Sequence, residues 1–311
     1  MEIAMVKPAA IQPAEITESL YRDFVAYLDA DENTVQSYSR TLRQFFAFMR
    51  SRGITQPRRE DILAYKEELR AHGKKASTIS SYITVVRLFF GWTEAAGIYP
   101  NIAAHIKGAK IDRDHKKDYL TSTQAKDILS QIDRSTLKGL RDYAMLALML
   151  TNGLRTIEVS RSNVEDLRAL ADSTVLYIQG KGRDEKAEYT KIQPPVEKAI
   201  REYLKARGQT APDAPLFAST SNNNSGRRMT TRSISAIAKT HMVNAGYDSD
   251  RLTAHSLRHT AVTLSLLAGR PIDEVQQFAR HQSIETTMIY NHALDKAKNG
   301  CSEAVSNTLF A

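Results

Sequence analysis

Apolar positions recur every three or four residues along most of this chain, the spacing of helices that bury one face. From Asn33 onward, Val35, Tyr38, Leu42, Phe45 and Met49 fall on one such face. Asn33 with Gln36 has the form of a capping box, and Gly53 supplies a stop. A second amphipathic segment begins near Ser77 with Ile79, Tyr82, Val86 and Phe89, and Gly97 follows its end. Shorter helical patterns cover Ser19 to Leu28 and Asp61 to Leu69. Four such helices predict a small bundle. Its polar faces carry Arg40, Arg43, Arg50, Arg52, Lys74, Lys75 and Arg87. The stretch IKGAKIDRDHKKD, from Ile106 to Asp118, is polar, basic and aperiodic, which predicts a linker.

Beyond it the pattern changes. Thr121 and Gln124 fit a capping box ahead of an amphipathic helix through Ile132. A strongly apolar helix follows from Leu140 to Leu150, and Gly153 breaks it. Thr174 to Gln179 and Glu188 to Gln193 read as strands on either side of a GKGRDEK turn, the pattern of a hairpin. A helix returns at Val196 to Arg207, then a polar loop, STSNNNSGRR. From Thr231 onward the pattern is helical, broken at Gly246, at Gly269–Arg270–Pro271 and at Gln282–Ser283. Gly at a helix stop and Pro in the next helix's first turn follow the usual asymmetry. The expected chain is mainly α with a small β-sheet or hairpin. It comprises a tail (1–14), a four-helix domain (15–105), a basic linker (106–118) and a mixed α+β domain (119–311).

Composition narrows the function. Of 311 residues, 43 are Lys or Arg and 35 are Asp or Glu, a formal net charge of +8. That balance favours a polyanionic partner such as nucleic acid. A single cysteine, Cys301, excludes both an intrachain disulfide and a cysteine metal site. No apolar run approaches the ~18 residues of a membrane span. The first residues, MEIAMVKPAAIQP, lack the layout of a signal peptide. These features lead us to expect a soluble, cytoplasmic protein.

Five regions carry residue types suited to phosphate chemistry. They are Arg155 in GLRTIEV, Lys181 in the GKG turn, His255 and Arg258 in HSLRH, His281 in ARHQS, and Tyr290 in TTMIYNH. His255 and Arg258 lie three apart, on one helix face. The GKG turn lacks the G-x-x-x-x-G-K-[ST] frame, which excludes a nucleotide-binding P-loop.

In this order and spacing the residues resemble the signature of the tyrosine recombinase, or phage integrase, family: Arg, Lys, His-x-x-Arg, His or Trp, then Tyr. Glu158 matches an acidic residue common in the family's first box, and HSLRHTAVT and HQSIETTMIY are similar to its later boxes. The resemblance spans nearly the whole chain, since family members also carry an N-terminal helical, SAM-like core-binding domain and a basic linker. One departure stands out. The family often has Leu-Gly before the histidine that matches His281; here Ala279 and Arg280 stand there, adding charge.

The resemblance implies a site-specific recombinase that cuts and rejoins DNA through a 3′-phosphotyrosine at Tyr290. Arg155 and Arg258 would clamp the non-bridging phosphate oxygens, a task suited to a planar and always charged fork. His255 would serve as the base that a tyrosine hydroxyl of pKa ~10 needs. Lys181 would protonate the departing 5′ oxygen, with Lys186 in the same hairpin as the alternative. His281 would bond a phosphate oxygen, and Glu158 would support Arg155 or His255. No cofactor, metal or ATP is implied. The partner would be double-stranded DNA bearing specific sites. Contacts are expected from Arg40, Arg43, Lys74, Lys75, Arg87, Lys107, Lys110, Arg113, Lys116 and Lys117. Assembly as a homo-tetramer, with a related recombinase subunit as a further partner, follows from the same resemblance. The apolar residues Val305, Leu309 and Phe310 of the C-terminal tail would dock on a neighbouring subunit. Integration and excision of a mobile element is the leading use, and Xer-type dimer resolution the alternative. A type IB topoisomerase or a DNA-binding protein without catalysis fits less of the pattern.

Overall fold

The computed structural model describes residues 15–110, 118–180, 182–297 and 300–310. The chain divides into two compact units, Met1–Arg113 and Asp114–Ala311. The expected tail 1–14 lies outside the described residues.

The first unit is the expected four-helix bundle: α1 (Glu18–Tyr27), α2 (Glu32–Ser51), α3 (Arg59–Ala71) and α4 (Ala76–Ala95). Its core is unusually aromatic, with Phe24, Phe45, Phe89 and Phe90 almost fully buried. Phe24 meets Phe89 edge-on at 5.4 Å and Phe45 meets Tyr65 at 5.2 Å, the arrangement ring quadrupoles favour. The cap of α2 differs from the expected Asn33–Gln36 box. Asp31 takes the position instead, its carboxylate accepting from the Thr34 backbone N–H at 3.0 Å. The expected linker is, as far as Lys110, part of this unit. Ile106 is buried in the bundle core, Ala109 packs against it, and Lys66 Nζ donates to the Lys107 carbonyl at 2.8 Å.

The second unit opens with α5 (Ser122–Ser130), which begins in the expected Thr121–Gln124 capping box. α6 (Leu137–Asn152) runs through the middle of the core, with every residue from Ala144 to Leu150 buried. Gly153 ends it at φ 58, a left-handed conformation. A Cβ there would meet the Phe278 ring at 3.4 Å, so both backbone and space favour glycine. α7 (Thr156–Arg161) follows immediately.

The sheet has three antiparallel strands in the order β1 (Leu167–Leu170), β2 (Ser173–Ile178), β3 (Glu188–Ile192). The β2–β3 hairpin is the expected one, with Leu176 opposite Thr190. β1 is an addition to the sequence reading. Helices α8 (Pro194–Arg207) and α10 (Ala254–Leu267) pack on α6, and α9 (Thr231–Asn244) packs on α7 and α10. α11 (Ile272–Ala279), α12 (Ile284–Ala297) and α13 (Cys301–Phe310) complete the chain. Pro271 caps α11 rather than entering its first turn. Val305, Leu309 and Phe310 on α13 are exposed. Among the described residues no helix is long and apolar enough to cross a membrane.

Candidate active site

The chemistry-bearing residues of the second unit converge where the end of α6, the start of α7, α10, α11 and α12 meet. Arg155 stands between Gly153 and α7. Its backbone N–H donates to Glu158 Oε2 at 2.8 Å, and its Nη1 donates to Glu158 Oε1 at 2.8 Å. The carboxylate thus caps the helix and aims the guanidinium together. Glu158 is completely buried. Burial pushes its carboxyl up, but Arg280, the Arg155 backbone N–H and the Arg155 guanidinium together hold it below the ordinary carboxylate range.

Arg258 is 1% exposed, a rare place for a guanidinium. Backbone carbonyls hold it: Nη1 donates to Gly153 O at 2.7 Å and Nη2 to Ala279 O. Burial, with Arg155 and Arg280 nearby, pushes its pKa down to about 9, which still leaves it charged at neutral pH. His255, one turn N-terminal on the same helix, is exposed.

Tyr290 of α12 is 7% exposed. Its ring lies against His281, nearly parallel at 6.1 Å, and against His259, edge-on at 5.0 Å. His259 in turn meets His255 edge-on at 4.6 Å. Burial raises the Tyr290 pKa while Arg258 and Arg155 pull it the other way. His281 Nδ1 is 2.8 Å from the hydroxyl of the buried Thr287. Burial and the three guanidiniums, Arg258 foremost, push His281 down to about 4, so the free protein holds a neutral imidazole there.

Of the residues singled out from the sequence, Arg155, Glu158, His255, Arg258, His281 and Tyr290 are therefore brought to one place. Lys181 lies outside the described residues. Its neighbour Gly180 and the nearby Arg183 line a cleft of ≈ 250 Å³ together with Arg155, Arg280 and His281. The alternative lysine is otherwise engaged: Lys186 Nζ pairs with the buried Asp166 at 2.6 Å. Among the described residues no group of three or more His, Cys, Asp or Glu is placed to hold a metal ion.

Three contributors went unassigned in the sequence. His259 touches both His255 and Tyr290, and its place one helical turn after His255 was the available signal. Arg280, noted only as added charge, enters the site itself. Thr287 gave no signal, because its bond to His281 depends on the turn between α11 and α12.

The basic residues expected on the first unit are unequal. Arg40, Lys74, Lys75, Lys107 and Lys110 are exposed. Arg87 is exposed and reaches Thr84 on its own helix. Arg43 is committed within the bundle, its Nε donating to Tyr21 Oη at 2.8 Å. Arg50 and Arg52 pair with Glu18 and Glu68. Arg113, Lys116 and Lys117 lie outside the described residues.

Comparison with known proteins gives a consistent result. The phage integrase family matches residues 118–297, and the N-terminal SAM-like domain of phage integrases matches residues 21–97. The tyrosine recombinase XerC of Roseiflexus sp. is 32% identical, over 84% of this chain and 83% of the relative. The XerH site-specific recombinase, in a structure bound to its difH substrate, is 18% identical, with a TM-score of 0.66 over 93% of each chain. The Tn1549 transposon integrase, in complex with a circular intermediate DNA, is 17% identical, with a TM-score of 0.67 over 88% of this chain and 93% of the integrase. The two structures extend the likeness of fold to both units.

Proposed function

The chain belongs to the phage integrase family of tyrosine recombinases, and on that premise we propose that it cleaves and rejoins DNA at specific sites with Tyr290 as the nucleophile. The observation that carries this reading is the setting of Tyr290. It is buried against His281, within the field of two guanidiniums, in a cluster that opposes three arginines to one carboxylate. Such a cluster is electrostatically incomplete without an anion, and a DNA phosphodiester supplies one.

In the proposed reaction, Arg155 and Arg258 bind the non-bridging oxygens of the scissile phosphate. Tyr290 Oη attacks phosphorus and its proton passes to His255. The bond to the 5′ oxygen breaks and Lys181 protonates that oxygen. The products are a 3′-phosphotyrosine and a free 5′-hydroxyl, and the reverse attack by a 5′-hydroxyl reseals a strand without ATP. His281 acts as a neutral hydrogen-bonding group, fixed by Thr287. Rigid carbonyl contacts on Arg258 mean that little reorganisation accompanies charge build-up, the condition for strong electrostatic catalysis.

The DNA partner is bound through phosphate contacts by the exposed basic residues of the first unit, among them Arg40, Lys74 and Lys75. Assembly is a homo-tetramer in which the exposed Val305, Leu309 and Phe310 of α13 dock on a neighbouring copy. Excision and integration of a mobile element is one use of this chemistry, in line with the likeness to a transposon integrase. Dimer resolution is the other, favoured by the 32% identity to XerC.

The test is covalent trapping. Duplexes that the protein binds specifically are selected, nicked next to the cleavage point, and incubated with wild type and with Tyr290→Phe. A denaturing gel should show a protein–DNA adduct with wild type alone. Specific binding without any adduct would sink the nucleophilic reading.

A further inference from the structure

We propose that Arg280 is a positioning residue for this reaction, holding Arg155 and Arg258 in place through the two acceptors they also use, the Glu158 carboxylate and the Gly153 carbonyl. The inference rests on the recombinase reading of the same site.

The contacts form a closed set. Arg280 Nη2 lies 3.1 Å from Glu158 Oε2 and 3.3 Å from Gly153 O. Glu158 takes Arg155 on its other oxygen, and Gly153 O accepts from Arg258. The Arg280 carbonyl accepts from Arg155 Nη2 at 3.2 Å, and the preceding carbonyl, Ala279 O, accepts from Arg258. Residue 280 therefore touches Arg155 directly and through Glu158, and touches Arg258 through Gly153. The next residue is His281. Displacing the Arg280 side chain leaves Glu158 Oε2 to the Arg155 backbone N–H alone and the Gly153 carbonyl to Arg258 alone.

This side chain is kept against local preference. Arg280 has φ 54 and ψ 46, a left-handed conformation that glycine adopts without steric cost. Its side chain is 10% exposed, and its Nε is buried with no acceptor. Strained backbone, a buried cation and an unspent donor at one position are features that gather at functional sites. The backbone of the turn does not demand them, since glycine takes this conformation freely.

The test compares full-length wild type, Arg280→Gly and Arg280→Lys on the nicked duplex. Cleavage is measured in single turnover with every duplex bound, and binding by gel shift. Arg280→Gly should bind within about twofold of wild type and cleave at least about tenfold more slowly, the signature of a contribution to the chemical step. Arg280→Lys should recover part of the rate, because an ammonium reaches Glu158 but lacks the fork to hold Gly153 O as well. Titration of the His281 ring by NMR adds a readout that mere space-filling does not move. Loss of the Arg280 charge should raise its midpoint from about 4. Cleavage by Arg280→Gly at the wild-type rate overturns the proposal. So does equal loss in both variants with an unmoved His281 titration. If Arg280→Gly fails to fold, Arg280→Lys decides alone: cleavage at the wild-type rate refutes the role. The titration needs no DNA, so it still decides the placement of Arg280 if wild type forms no adduct, a result that sinks the nucleophilic reading instead.

Discussion

Glu158→Gln probes the element on which the site's geometry depends. The wild-type carboxylate accepts three hydrogen bonds, from the Arg155 backbone N–H, Arg155 Nη1 and Arg280 Nη2. A glutamine of the same shape has one oxygen and one NH2 group. Its better orientation keeps the oxygen toward Arg155 N–H and Arg280, and turns the NH2 against Arg155 Nη1. One charge-assisted bond is lost, about 1.5–3 kcal/mol, and a donor is left facing a donor. Arg155 and Arg280 also lose the buried counter-charge that they share. Removing one partner of a fully buried pair costs about 3–5 kcal/mol. Arg155 is 29% exposed and can turn toward water, so the lower end applies: a loss of about 3 kcal/mol. The assay is urea unfolding of the full chain followed by circular dichroism. The sole tryptophan, Trp92, belongs to the first unit, so its fluorescence reports that unit separately. The second unit's midpoint should fall while the Trp92 transition serves as the reference. The pH dependence has a definite sign. The Glu158 carboxyl is held below its ordinary value of 4.5, so its stabilisation is full above that pH and lost as pH falls through the lower folded value. The difference between wild type and variant should shrink over that acid range. A loss under about 1 kcal/mol at neutral pH, or one that persists unchanged in acid, would refute the reasoning.

The two hairpin lysines should separate cleanly. Lys181→Ala should slow cleavage of an ordinary duplex yet spare one with a 5′-bridging sulfur, whose leaving group needs no proton; equal losses on both would refute the acid role. Lys186→Ala should instead lower stability by about 1–3 kcal/mol by stranding the buried Asp166, and treat both substrates alike. Arg258→Lys cannot fork onto Gly153 O and Ala279 O, so single-turnover cleavage should fall by about 10²–10³-fold on bound DNA, and wild-type cleavage would refute the clamp. Arg258→Ala is a poorer probe, because the side chain is 1% exposed and its loss also leaves a cavity. His281, pushed from 6.5 to about 4, stabilises the fold above its unfolded pKa and loses that contribution, ~3 kcal/mol at most, as pH falls through about 4. His281→Gln should flatten the acid slope of stability, and an unchanged slope would contradict the buried neutral imidazole.

Local signals in the sequence reached the structure well. The Thr121–Gln124 box needs only residues three apart, and it starts α5 as expected. The apolar face of α2 and the αL stop at Gly153 are likewise properties of a few neighbouring residues. β1 escaped because its connection to β2 carries no turn signature. The register pairs Leu170 with Ser173 around Ala171 and Asp172, and Ala171 takes φ 48, where Asn or Gly would announce a tight hairpin. The Asn33–Gln36 box failed for a related reason, since Asp31 was the better acceptor two residues earlier. Within the site, residue types in order gave Arg155, His255, Arg258, His281 and Tyr290. Glu158 beside Arg155 was expected, three residues away, but the other supports did not follow, because Glu158 with Arg280, Arg258 with Gly153 O and Lys186 with Asp166 are pairs that only the tertiary fold brings together.

The same pairs explain why the site is poised rather than relaxed. Three guanidiniums share one buried carboxylate and four backbone carbonyls, and burial together with the neighbouring positive charges pushes Arg258 to about 9 and His281 to about 4. A phosphate between Arg155 and Arg258 opposes both shifts, because an anion favours the charged form of every cation around it. On the proposed function, DNA binding and local stability form one linked equilibrium, in which the scissile phosphate relieves like-charge repulsion present in the free protein. Burial of Tyr290 works alongside this. It favours the protonated hydroxyl, and the guanidiniums proposed to bind the phosphate are those that pull its pKa the other way. Arg280, inserted where the backbone favours glycine, adds a third positive charge beside the two guanidiniums proposed to bind phosphate, and so adds to the repulsion in the free site.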